Sequence, residues 1–147
     1  MMSIVNPKQM ADAISTLLNG TSFSIPFESQ VLLKPLFDLT ELGDLKVTVV
    51  PVSLGLEKIA RGMSSGQYEI DIAIQQKLPA EDMDAVIESL MELVLEIASC
   101  LANSPIEYET GKHTTAIKTE IKPIYSMEHL AEYKVFTSVV TVTCKVT

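Results

Sequence analysis

The segment from Pro79 to Leu101 constrains the chain most, because only there is the apolar pattern both long and regular. Met83, Val86, Ile87, Leu90, Val94, Ile97 and Leu101 recur at steps of three and four, which stacks them on one stripe of a helix of about six turns. Glu81, Asp84, Glu88, Glu92 and Glu96 fall on the opposite side. Such a helix has one dry face and one acidic face, so the flanking segments must supply a sheet for it to cover.

Those segments have the right periods. Leu45, Val47 and Val49 alternate with Lys46 and Thr48 up to Pro51, and Tyr68, Ile70, Ile72 and Ile74 alternate with Glu69, Asp71, Ala73 and Gln75. A period of two with one apolar face is the mark of an antiparallel pair buried on one side. Residues 52–66 read as a long loop between the two strands, with Gly55, Gly62 and Gly66, an exposed-looking Met63, and the cations Lys58 and Arg61. Loops of this length inside compact domains usually carry function or move.

Around this centre the remaining elements are shorter. Asn6 can cap and Pro7 can open a helix carrying Met10, Ile14, Leu17 and Leu18, which Asn19 and Gly20 close. Ser22 to Phe27 and Gln30 to Lys34 read as extended pieces of an edge, given Pro26 and Pro35. A turn of helix over Phe37 to Asp44 precedes the first long strand. After the long helix, Asn103 to Gly111 reads as a linker, Lys112 to Ile124 as a strand with Ile117, Thr119 and Ile121 on one face, and Tyr125 to Tyr133 as a loop with one helical turn. Val135 to Val146 is the last strand, with Phe136, Val140, Val142, Cys144 and Val146 inward. The order predicts one α+β domain over residues 1–147: an antiparallel sheet of about four to five strands, packed on one face by one long and one short helix, with a long hairpin loop.

Charge and motif content narrow the function classes. A formal net charge of −8, with 19 acids against 11 Lys and Arg, argues against a nucleic-acid surface, since phosphate contact is driven by clustered cations. No apolar run approaches the roughly 18 residues of a membrane span, and Met1 to Asn6 lacks the blocks of a signal peptide, so a soluble chain is expected, with no membrane partner. Cys100 and Cys144 read as small core hydrophobes. His113 and His129 stand in no ligand spacing; Glu107, Glu109 and His113 can be drawn around a metal, but a solvated stretch is the reading preferred. Phosphate-binding loops, dinucleotide fingerprints and nucleophile elbows are missing from the sequence, so catalytic, cofactor and metal residues are expected to be none.

The remaining feature is an unusual surface. Glu88, Glu92 and Glu96 stack at i, i+4, a like-charge spacing that weakens an isolated helix by roughly 0.2–0.5 kcal/mol per pair. Leu95 lies beside them. The stripe either keeps the helix solvated or meets a basic surface on a neighbour.

The run Phe37-Asp38-Leu39-Thr40-Glu41-Leu42-Gly43-Asp44-Leu45-Lys46-Val47-Thr48-Val49-Val50-Pro51 resembles a pattern of small tailed-bacteriophage neck and tail-completion proteins. Ala60-Arg61-Gly62, then Tyr68 through Leu78, and finally Val135 through Thr143 extend the resemblance, while residues 1–36 carry no motif of that kind. The resemblance implies a tail-terminator-like fold and a structural virion protein rather than an enzyme. Its subunits would form a ring, usually of six, that caps the tail tube and joins it to the head connector. The implied partners are the chain itself, the tail tube and the connector proteins. DNA would pass through the ring without specific binding. The implied location is the virion neck, reached through the host cytoplasm during assembly. Within such a ring, Lys58, Arg61 and Met63 on one side and Glu88, Glu92, Leu95 and Glu96 on the other are the subunit-interface candidates. A binding or regulatory module that takes a ligand on residues 52–66 is the alternative from a different class.

Overall fold

A computed structural model describes residues 5–33, 44–122 and 124–147, without the side chain of residue 63. It is an α+β structure with a five-stranded sheet, a two-stranded sheet and helices of 13, 21 and 7 residues. The order is α1 (Pro7–Asn19), β1 (Ser29–Val31), β2 (Lys46–Ala60), β3 (Met63–Lys77), α2 (Met83–Asn103), β4 (Ile106–Glu109), β5 (Lys112–Thr114), β6 (Ala116–Ile121), α3 (Met127–Tyr133) and β7 (Val135–Val146). The large sheet runs β1-β2-β3-β7-β6, and β4 pairs with β5.

The core forms where the two periods meet. From β3, Tyr68, Ile70, Ile72 and Ile74 turn inward and are fully buried, as are Val140, Val142 and Cys144 from β7. Helix α2 lays Leu90, Leu93, Val94, Ile97 and Leu101 over the β7 and β6 end of the sheet, and α1 lays Met10, Ile14 and Leu18 over the β2 and β1 end. Each large aliphatic side chain buried this way contributes about 1.5–3 kcal/mol relative to exposure, so this layer dominates stability. Burial also pushes the Cys144 thiol up to about 11, which leaves it neutral and inert near neutral pH.

Polar clips fix the periphery. Asn6 accepts from the Lys8 N–H at 2.8 Å and caps α1, as the sequence predicts. Ser29 donates its N–H to Asn19 Oδ1 at 2.7 Å, and its hydroxyl lies 2.6 Å from that of Ser15, which ties β1 to α1. Tyr68 reaches past the core and donates its hydroxyl to the Val5 carbonyl at 2.6 Å. Gly66 makes room for that ring: a Cβ there would stand 3.0 Å from Tyr68 Cε1 and 3.3 Å from Leu54 Cδ1.

Several sequence expectations change. The long helix begins at Met83, not Pro79, because Asp82 takes a left-handed conformation (φ 55°) that turns the chain just before it; Glu81 therefore precedes the helix. Of the two extended pieces near the N-terminus only β1 forms, and it pairs with β2 in parallel, Ser29 opposite Val47. The helical turn expected over Phe37 to Asp44 lies outside the described residues up to 43. Asn103 to Gly111 is not a plain linker: β4 and β5 form a small hairpin turned by Gly111 (φ 78°) and held to α1 by Gln9 Nε2, which donates to the Tyr108 carbonyl at 2.7 Å. Ile117 is exposed rather than inward, since a bulge between Ala116 and Lys118 shifts the phase of β6 and sends its extra residue outward. The expected single turn near the C-terminal strand is the helix α3, capped by Ser126.

Replacing Tyr68 by Phe removes the donor to a buried carbonyl without emptying the core. An expected loss of about 1–2 kcal/mol follows, measured as a lower denaturation midpoint at unchanged slope.

Candidate functional surface

Residues 52–66 form no loop. β2 and β3 stay paired from Lys46 opposite Gln75 out to Ala60 opposite Met63, and the chain reverses through Arg61 and Gly62 alone. Gly62 sits at φ 76°, where a residue with a side chain would be strained. Each strand has 15 residues, or about 50 Å when extended. The neighbours are shorter. Among the described residues, β1 pairs with β2 only from Val47 to Val49, and β7 accompanies β3 only as far as Gly66. Beyond those points the two strands project as an arm.

The arm has a mixed surface. Bulges at Val52 and Ile59 interrupt its ladder, and both residues are exposed together with Leu56. Leu54, opposite Tyr68, still packs against the core, Leu56 continues the inward face past it, and Lys58 follows in the same phase. Glu57 lies on the other face, opposite Ser65. Lys58 and Arg61 make no salt bridge among the described residues. Met63 opens β3 beside the turn, and its side chain lies outside the described set.

The second group of predicted interface residues lies on α2, which packs over β6 and β7, away from β2. Glu88, Glu92 and Leu95 are exposed there, Leu95 to 60%. Glu88 and Glu92 form no salt bridge among the described residues. Glu96 differs: its carboxylate accepts from the Ser24 N–H at 2.9 Å and from the Ser24 hydroxyl, so it pins the segment after α1. The structure thus separates a free part of the acidic stripe from a part already engaged.

The chemistry elsewhere is local. His113 meets Glu107 at 3.1 Å across the β4-β5 hairpin, and Lys112 meets Glu109 at 3.0 Å, which holds the Glu109 carboxyl below and the Lys112 ammonium above their ordinary values. His129 Nδ1 lies 2.8 Å from Thr137 Oγ1 and fastens α3 to β7. A depression of about 530 Å³ on the outer sheet face is lined by Glu69, Lys118, Glu120, Thr141 and Thr143 among others, with Lys118 and Glu120 paired at 3.2 Å. Among the described residues no group of three or more His, Cys, Asp or Glu side chains could hold a metal, and no helix is long and apolar enough to cross a membrane.

Sequence reasoning placed Lys58, Arg61, Glu88, Glu92 and Leu95 on the surface and missed Val52, Leu56 and Ile59. The available signal was the pair of residues Arg61-Gly62 as a tight turn between two stretches of similar length. No protein-family model matches the chain, and no curated protein matches it.

Replacing Glu96 by Ala is expected to lower the melting temperature by releasing Ser24. The same change leaves the association state unaltered, which sedimentation of the purified variant checks.

Proposed function

We propose that the chain is a structural subunit of a tailed-phage neck, which assembles into a ring that caps the tail tube and joins it to the head connector. The observation that carries the reading is the arm: two strands that outrun their described neighbours and carry exposed apolar residues, with cations that form no salt bridge among the described residues. Beyond Leu54 a projecting hairpin of this kind gains nothing for its own subunit, since among the described residues its inward face has no core to cover. It gains if a second subunit buries it. The resemblance of the Phe37 to Pro51, Tyr68 to Leu78 and Val135 to Thr143 runs to neck proteins gives that association a setting. There the subunit acts by shape and contact, without a cofactor, in the virion, having been made in the host cytoplasm. A net charge of −8 suits a ring that lets DNA through without trapping phosphate.

Replacing residues 56–66 by Asn-Gly shortens the hairpin to a tight turn while keeping Leu54 opposite Tyr68. The expected outcome is a folded chain that no longer forms rings in negative-stain images. Mass spectrometry of purified virions tests the setting: the chain is expected at about ring stoichiometry, and its absence from virions overturns the reading.

A further inference from the structure

We infer that the arm of one copy seats on the outer face of α2 of a neighbouring copy, with Leu56 against Leu95 and with Lys58 and Arg61 against Glu92, Glu88 and Asp84. The inference rests on the ring reading and deepens it by naming both halves of the contact.

The two surfaces match in order and in length. On α2, Asp84, Glu88, Glu92 and Leu95 follow at steps of four, four and three, which keeps them within about 80° of arc over about 16 Å. All four are exposed. On the arm, Leu56 and Lys58 share a strand face and Arg61 stands at the turn, a span of about 15 Å. Each surface therefore begins with a leucine and continues with charge of one sign, and the signs are opposite. Leu56 is 58% exposed and Leu95 60%, so each keeps most of its side chain in water until something covers it.

Charge argues for a second copy as the occupant. Asp84, Glu88 and Glu92 repel one another along the helix and find no cation among the described residues, while Lys58 and Arg61 find no carboxylate. Docking answers both deficits in one contact. Glu57, the acid nearest the arm's cations, lies on the opposite strand face and stays out of it. Among the described residues the subunit does not satisfy itself: α2 covers the β7 and β6 flank of the sheet, whereas the arm leaves from β2 and β3. A contact between different patches on different flanks is head-to-tail, and repeated through a closing rotation it makes a ring.

Charge reversal in purified full-length protein tests the contact. K58E/R61E gives a copy with an acidic arm and an acidic helix, and E88K/E92K a copy with a basic arm and a basic helix. Each alone is expected to associate at least about tenfold more weakly than the unaltered chain in analytical ultracentrifugation. Mixed in equal amounts they restore the particle, because each arm then meets a helix of opposite charge. Circular dichroism and melting temperature check that both variants stay folded. Reversals that leave the particle intact overturn the docking while the ring stands. Loss with the arm variant alone, or loss of both without rescue on mixing, assigns the arm to another surface and also overturns it. An unaltered chain that stays monomeric at every concentration overturns self-docking, and its presence in virions then decides the structural role separately.

Discussion

Strand β3 holds its two neighbours, β2 and β7, by a ladder on each edge, and the rest of the structure depends on that. It pairs with β2 along nearly its whole length and with β7 from Gly66 to Lys77, while Tyr68, Ile70, Ile72 and Ile74 fill the centre of the core. The arm is therefore a continuation of a central core strand rather than an appendage on a linker. Strands tied into a core by cross-strand pairs transmit direction, so the tip is aimed by the body. Tyr68 and Gly66 mark the transition: from Tyr68 to Ile74 the inward side chains are fully buried, while Leu56, opposite Gly66, is exposed.

Much of the body was legible because burial writes a period into the sequence. The clean alternation from Tyr68 to Ile74 and the stripe from Met83 to Leu101 both name residues that the structure buries or half-buries. The arm was not legible for the converse reason. With Val52, Leu56, Lys58 and Ile59 all exposed, selection on burial leaves no period of two, and two bulges and the glycines at 55 and 66 further blur it. The phase error at Ile117 has the same origin, since one bulged residue reverses which side chains face inward. Asp82 is a third case: a left-handed residue without glycine leaves little trace in sequence, so the helix start was placed one turn early.

The candidate surface was half legible. Charged residues at helical spacing identified the free face of α2 directly, but the sequence could not separate Glu96, whose partner Ser24 lies 72 positions away. The cations of the arm were found as residues and misplaced as structure. That difference matters physically: on a loop Lys58 and Arg61 would sample many arrangements, whereas on paired strands their spacing to Leu56 is fixed. A preset spacing lowers the entropy lost on association, which favours contact with an equally rigid helix.

Zero-length carbodiimide cross-linking of the assembled, full-length protein, read by mass spectrometry, tests this account most directly. Lys58 is the arm's one primary amine, and the account gives it an intermolecular amide to Glu88 or Glu92. Isotope-mixed protomers distinguish that link from one within a chain. Cross-links from Lys58 between copies that land on Glu57, on the β6 edge or anywhere else but α2 would contradict it.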